Sequence, residues 1–431
     1  MLAIAGFIML GVLIVLLLKF KLLPITVFST LPLITALIMG FSFTDSLTMI
    51  AKGMINVLPV AALFVGSITY FGIMGDVGLF DPPIAWLTKR IKPSVFSVLT
   101  IAACIALTAH LDGSGVATLL ITVPAILPIV KAMKIRVLPF SFIVTSCIGV
   151  MNFLPWGGPI GRAATVVGSD AVTLWKQVLP IQILGIIMVF IACYLISKQE
   201  VKKGFFVPVP EAKGFISELS QEEASLRRPK LFWFNLTLTV VSIIMLFLGV
   251  PAFIPFLIGI GIALPVNYGK GGEKMQSARI KAHAKNVLPM IITIIGAGML
   301  LGVLSDSGMV EAMANTIVKI IPESLGQYIH IIMGILAVPM SIVFDADTMN
   351  YGILPVITSI GESYGVTPIQ SALSIAIGHN MGIGLCMTSA SVYFGLGMFG
   401  LEYEEAFKYS FLKNFVFAVI LILFGTLVGI L

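Results

Sequence analysis

Apolar runs of about 17–20 residues, each long enough to cross a hydrocarbon core, follow one another along the whole chain. Only 11% of the 431 residues are charged, where a soluble protein carries about 25%. The sequence is therefore expected to form an all-α polytopic membrane protein. The first run, 1–18, lacks a basic leading segment and a small-residue cleavage site, so it reads as a span and not a signal peptide. Cys104, Cys147, Cys193 and Cys386 all sit inside apolar runs without CxxC spacing, which fits helix packing better than a metal or redox site.

Polar breaks divide the chain into expected spans near 2–18, 22–41, 54–74, 137–168, 176–197, 232–249, 253–268, 287–304, 368–400 and 414–430. Two further apolar stretches, 94–130 and 329–360, are interrupted by HLDGSG (110–115) and DADTMN (345–350). Both read as re-entrant hairpins that enter and leave on one side. Charge supports this reading, because cytoplasmic loops carry excess Lys and Arg. With ten spans and two hairpins, 22 of the 26 basic residues fall in inside loops. Lys52, Lys176 and Lys319 fall outside, and Arg162 lies in the membrane. The net charge of +6 thus reflects orientation in a plasma membrane and gives no reason to expect nucleic acid. Both termini are expected outside.

The two halves resemble one another. FGIMGDVGLF (71–80) matches LGVLSDSGMV (301–310), Pro124 matches Pro355, and GSDAVTLWK (168–176) matches GLEYEEAFK (400–408), all near an offset of 230 residues. Five spans and one hairpin per half is an odd count, which turns the second copy upside down. Inverted repeats with interrupted helices mark secondary transporters. The expected organisation is a first repeat at 1–197, a cytoplasmic linker at 198–231 mixing seven basic with five acidic residues, and a second repeat at 232–431.

The stretch MNFLPWGGPIGRAA (151–164) concentrates unusual chemistry. Pro155 and Pro159 remove helix donors, and Gly157 and Gly158 allow unusual dihedrals and close approach of a ligand. Opened backbone survives at membrane depth only where protein or a water-filled cavity supplies partners. A half-helix beginning near Ile160 would present unpaired N–H groups and a positive dipole end. Arg162 adds a guanidinium fork in the next turn. Asn152, Trp156, Gly157, Gly158 and Arg162 are therefore candidates for an anion site, with a proline kink and a structural ion pair as the competing explanation.

The hairpin tip 110–115 offers Asp112, an intramembrane carboxylate, and Ser114, with carbonyls exposed around Gly113 and Gly115. These suit a cation or a coupling proton. Pairing of Asp112 with Arg162 is the alternative. His110 could shuttle protons or simply pack. In the second half Asp345, Asp347 and Asn350 could face one cation or share a proton. GHNMGIGLCMTSAS (378–391) falls opposite the first break and supplies His379, Asn380, Thr388, Ser389 and Ser391, but no proline. No GxSxG, HExxH or P-loop occurs, so neither an enzyme nor an ATP-driven pump is expected.

HLDGSGVATLLITVPAILPIV followed by MNFLPWGGPIGRAA resembles the bacterial citrate–Mg²⁺:H⁺ and citrate–Ca²⁺:H⁺ symporters (CitMHS), within the wider ion-transporter superfamily. The resemblance covers nearly the whole chain. Asp112, Ser114, Asn152, Gly157, Gly158 and Arg162 match its first-half motifs. GLCMTSAS departs from the proline- and Ser/Thr-rich break of the family. The resemblance implies proton-driven uptake of citrate with a bound divalent metal. It also implies a tip and a broken helix from each repeat around the substrate, moving as an elevator. No resident cofactor is implied, since Mg²⁺ or Ca²⁺ would travel with the citrate. Elevator-type relatives are often dimers, which allows a homodimer. The alternatives are a proton- or Na⁺-coupled carrier of another organic anion (a dicarboxylate, lactate or gluconate) and a cation/proton antiporter on the same scaffold.

Overall fold

The structure is a computed structural model that describes residues 1–207, 221–269 and 272–431. Residues 208–220 of the expected linker, and Lys270 and Gly271 of an expected inside loop, lie outside the described residues. Among the described residues every regular element is helical. The first half runs α1 (Leu2–Leu18), α2 (Pro24–Ile38), α3 (Phe43–Asp76), α4 (Asp81–Thr88) and α5 (Val95–Ala109). It continues with α6 (Gly115–Ala132), α7 (Val137–Met151), α8 (Gly158–Val166) and α9 (Ala171–Lys202). After the short α10 (Gln221–Leu226), the second half runs α11 (Phe232–Phe247), α12 (Phe253–Tyr268), α13 (Gly272–Asp306) and α14 (Met309–Val318). Then follow α15 (Glu323–Gly326), α16 (Ile329–Met340), α17 (Leu354–Glu362), α18 (Pro368–Gly382), α19 (Ala390–Phe399) and α20 (Tyr403–Leu427). Seven helical segments are long and apolar enough to cross a membrane, and six shorter apolar helices accompany them. The segments Val95–Asp112 and Gly115–Ala132 are among the seven, so length alone does not distinguish crossing from re-entry there.

Several helices outrun their apolar runs. The run at 287–304 begins a full fifteen residues after α13 does. The extra turns carry Lys274, Arg279, Lys281, His283 and Lys285, so hydropathy marks the edge of the apolar layer and not the end of the hydrogen-bonded helix. The helix α9 starts at Ala171, earlier than the expected 176, because the Asp170 carboxylate accepts from the N–H groups of Val172 and Thr173 at 3.0 Å.

The two longest helices, α3 and α13, cross through glycine. A Cβ on Gly53 would lie 2.0 Å from the Gly298 carbonyl oxygen and 2.6 Å from Gly302 Cα, so any larger residue would force the backbones apart. Ion pairs stand on either side of this crossing. Lys52 Nζ is 3.2 Å from Asp306 Oδ2 at the end of α13. At the end of α3, Asp76 Oδ2 is 2.9 Å from His283 Nε2 and 3.6 Å from Arg279 Nη1.

The end of the linker segment is engaged rather than fully solvated. Arg227 donates to the carbonyls of Gly75 and Asp76 at 2.6 and 3.0 Å and pairs with Asp81 at 2.7 Å. A cation there meets the negative end of α3. The N–H of Arg228 donates to the Val77 carbonyl at 3.0 Å, which extends the same clasp.

Candidate functional site

The break between α7 and α8 is enforced by sequence. Asn152 closes α7, and α8 restarts at Gly158 with Pro159 in its first turn, two residues before the expected start. The turn between them is too tight for a side chain at Gly157, where a Cβ would meet the carbonyl oxygens of Asn152 and Leu154 at 2.7 and 2.8 Å. The tip of the preceding hairpin docks on this turn. Gly113 adopts φ +77° and lies so close to Trp156 that a Cβ would sit 3.0 Å from the Trp156 carbonyl oxygen. Two side-chain bonds lock the contact. Trp156 Nε1 donates to the Leu111 carbonyl at 2.8 Å, and His110 Nε2 lies 3.1 Å from Asn152 Oδ1. The Trp156 ring is buried against Phe71, Phe256 and Trp175.

The decisive contact joins the two halves. Arg162 Nε donates to Asp347 Oδ1 at 2.5 Å, with both side chains largely buried. Asp112 takes another role. Its carboxylate accepts the N–H of Ser114 at 2.8 Å and shapes the turn that Ser114 then continues as the cap of α6. Asp345 accepts the N–H of Thr348 at 2.9 Å and opens a π-helical turn, Thr348–Ile353. Asn350 is folded back onto the Ala346 carbonyl at 2.8 Å. His379 and Asn380 are about 1% exposed, and neither side chain has a hydrogen-bond partner among the described residues. The backbone oxygen of Asn380 touches Gly149, so α7 and α18 cross just before each of them ends. In the second break Thr388 donates to the Val343 carbonyl at 3.3 Å, and Ser389 and Ser391 share a 2.8 Å hydrogen bond.

A cavity of about 310 Å³ opens where these elements meet. Ser114, Asn152, Gly158, Arg162 and Ser391 stand on its wall, beside Gly113 and Gly115. Trp156 and Asn350 are held in protein contacts, Thr388 turns to the Val343 carbonyl that follows α16, and Ser389 shares its hydrogen bond with Ser391. The wall also includes Ser141 and Thr145, which the sequence reading passed over. They precede Ile148 and Asn152 at spacings of four, three and four residues, the signature of one helical face leading to the break. A second cavity of about 840 Å³, bordered by Lys52, Asp170, Asp306, Glu311 and Glu362, reaches residues 164–167 at the far end of α8. The helix that carries Arg162 thus stands between two cavities.

A family model described as "Citrate transporter" (CitMHS) matches residues 11–267. Two proteins of Bacillus subtilis (strain 168) extend the match over the full length. One, named citrate transporter, is 32% identical over 432 residues, covering 100% of both chains. The other, named Mg(2+)/citrate complex secondary transporter, is 32% identical over 432 residues and 99% of both. The chain belongs to the citrate transporter family. It is the family that the two motifs at 110–130 and 151–164 resemble. A solved structure of the YdaH transporter of Alcanivorax borkumensis shares the fold with a TM-score of 0.61 at 12% identity, over 89% of this chain and 88% of that one. As a member of the citrate transporter family, the protein is a multi-pass cell-membrane transporter and not an enzyme.

Proposed function

We propose that this transporter imports citrate as a complex with Mg²⁺ or Ca²⁺, driven by protons, through the cavity that Arg162 borders. The observation that carries this reading is Arg162 on the cavity wall beside Ser114, Asn152 and Ser391, with Asp347 paired to it. It sets a cationic and an anionic group side by side, and a metal–citrate complex presents the opposite pair. Arg162 and the N–H groups at the start of α8 suit carboxylates. Asp347, with Asp345 near it, suits the metal or a coupling proton, as does Asp112 at the facing tip. His379 and Asn380 stand ready as buried polar groups for the same proton or cation. Citrate carries about three negative charges near neutral pH, and a divalent metal leaves about one. Two or more protons would then make import electrogenic and favoured by an inside-negative potential. The names of the two Bacillus relatives support citrate, and one of them supports the metal complex.

The same reading takes the chain as two inverted repeats with re-entrant hairpins at 94–130 and 329–360, moving as an elevator. Reciprocal contacts support the pseudo-twofold relation. Asp76 and Asp306 are 230 residues apart, as are Gly53 and His283, and Gly72 and Gly302. Gly53 packs on Gly302, and Gly72 packs on His283. A twofold axis generates each contact from the other. With the basic loops inside, the 840 Å³ cavity faces outward and the 310 Å³ cavity inward.

The test is labelled-citrate uptake into proteoliposomes under an inward proton gradient, with Mg²⁺, with Ca²⁺ and with chelator. Metal-dependent uptake that collapses with a protonophore is expected. Equal uptake in chelator would move the substrate to free citrate, and no citrate uptake by folded protein would overturn the assignment.

A further inference from the structure

His110 is completely buried and sits between two polar side chains. Its Nδ1 is 2.8 Å from Thr118 Oγ1, and its Nε2 is 3.1 Å from Asn152 Oδ1. An amide oxygen only accepts, so Nε2 must carry hydrogen in this arrangement. Thr118 can complete it. The Ser114 carbonyl lies 2.8 Å from the Thr118 hydroxyl, but it already accepts the Thr118 N–H at 3.0 Å. That carbonyl has room for both, but with the ring hydrogen on Nε2 the Nδ1 is a bare acceptor, and the Thr118 hydroxyl hydrogen turns to it. Asn152 Nδ2 has no partner among the described protein groups, and Asn152 borders the 310 Å³ cavity.

We infer that His110, oriented by Thr118, is a positioning residue that makes Asn152 present its NH₂ group, a donor, to the substrate cavity. The inference rests on the proposed carboxylate substrate and names what sets the polarity of one wall of its site. Moving the proton to Nδ1 would reverse every step. Nδ1–H would donate to Thr118, whose hydroxyl would donate to Ser114. Asn152 would turn its NH₂ to Nε2 and its oxygen to the cavity. That state repels a carboxylate and invites a cation. A site built to offer a hydrogen bond rejects a ligand that leaves the bond unmade, so the proton position on one buried imidazole selects between ligand classes. Neither His110 nor Thr118 borders the cavity, so their effect is indirect.

Two measurements on the full-length protein test this. The first is ¹⁵N-histidine NMR of the ligand-free protein in nanodiscs, with His110 assigned among the four histidines by its loss in His110→Gln. A proton on Nε2 is expected, and a signal from the Nδ1–H form alone overturns the inference whatever the substrate is. The second is uptake kinetics of His110→Gln, His110→Asn and Thr118→Val, with unfolding temperature followed in parallel. Gln places its NH₂ near the Nε2 position, whereas Asn reaches only the Nδ1 position. His110→Asn should raise the citrate KM about tenfold, the size of one lost hydrogen bond to a charged group, with Vmax held. His110→Gln should recover most of that loss. Thr118→Val should raise KM by a smaller factor, and Thr118→Ser should restore it. Equal KM in His110→Gln and His110→Asn, or a change confined to Vmax and unfolding temperature, would leave His110 a packing residue. A wild-type protein that shows Nε2–H but no citrate uptake would sink the substrate reading and not the network.

Discussion

Two buried histidines lie near the site, one in each half, and the protein treats them in opposite ways. His110 is bonded at both nitrogens, to Thr118 and Asn152. His379 is bonded at neither among the described residues. The contrast extends to their surroundings. In the first half, tip and break are tied by His110, by the Trp156–Leu111 bond and by aromatic packing. Among the described residues, the buried side-chain polar atoms without a partner in the first half are the hydroxyls of Ser67, Thr100, Thr122 and Ser146, whereas in the second half the imidazoles of His330 and His379 and the Asn380 amide join the hydroxyls of Thr348, Tyr351, Ser371 and Ser374. Buried polar groups cost about 1–3 kcal/mol each when unpaired, so a folded chain retains them where something else supplies the bond. The tip and break of the first half are therefore the more tightly tied, and the second half holds the larger buried polar groups open to ions or water.

The largest effect expected is at the contact between the halves. Arg162→Ala or Asp347→Ala leaves a buried charge without its partner, which costs about 3–5 kcal/mol. Each should lower the unfolding temperature and abolish uptake. The double substitution Arg162→Ala/Asp347→Ala should recover stability but not transport. If the double variant is no more stable than the singles, the pair is not the structural link between the two walls. Full transport by Arg162→Ala would point to the antiporter alternative, with the carboxylates as the primary site.

Next in size are the glycines that permit each half to close. Gly378→Ala places a Cβ 1.8 Å from the Gly334 carbonyl oxygen, where α18 packs on α16. Gly157→Ala places one 2.7 Å from the Asn152 carbonyl oxygen, within the first break. Both contacts are with backbone, so relief requires helices or turns to shift. The expected loss is about 3 kcal/mol at Gly378 and about 2 kcal/mol at Gly157, read by thermal unfolding in detergent. An unchanged unfolding temperature for Gly378→Ala would mean that α16 and α18 separate easily, and the two halves would differ less in rigidity than their contacts indicate.

The class of fold and the family were legible because they rest on local signals. Runs of apolar residues announce helices in lipid, and HLDGSG and MNFLPWGGPIGRAA carry the chemistry that identifies the family. Which side chains meet was not legible. Arg162 and Asp347 are 185 residues apart, and the sequence suggested the nearer Asp112 as the carboxylate for Arg162, which the fold instead places on the Ser114 N–H. The start of α13 was missed because its first turns are polar and are ordered by Asp76 of another helix. The face made by Ser141, Thr145 and Asn152 had a readable period, but hydroxyls are common in membrane helices and gave no reason to prefer it.

The matched histidines give a finer test. His110→Ala removes two hydrogen bonds and strands Asn152 and Thr118, so it should lower stability by about 2 kcal/mol. His379→Ala removes no protein hydrogen bond and relieves a buried polar ring, so its loss should be limited to a cavity term of about 1 kcal/mol. Transport should show the reverse emphasis. His379→Ala should change the dependence of uptake on proton gradient, while His110→Ala should chiefly raise KM. Equal stability losses in the two variants would show that His379 has acquired partners outside the protein, and the difference between the halves would then concern ligands and not packing.

The smallest effect separates the two ion pairs of the α3–α13 crossing. The related carboxylates Asp306 and Asp76, 230 residues apart, take different partners: Lys52, with a side chain 66% exposed, and His283, 15% exposed. An exposed pair contributes about 0–1 kcal/mol and is screened by salt. Lys52→Met should therefore shift the unfolding temperature little, and raising the salt concentration should erase even that shift. Asp76→Asn should cost more, because it loosens the only carboxylate shared by His283 and Arg279 among the described residues, next to the helix end that Arg227 also holds. A larger loss at Lys52 than at Asp76 would invert this ordering. It would mean that the helix crossing is held mainly on the side of the wide cavity, where Lys52 stands on the wall, and that the glycine contact at Gly53 tolerates movement on the other side.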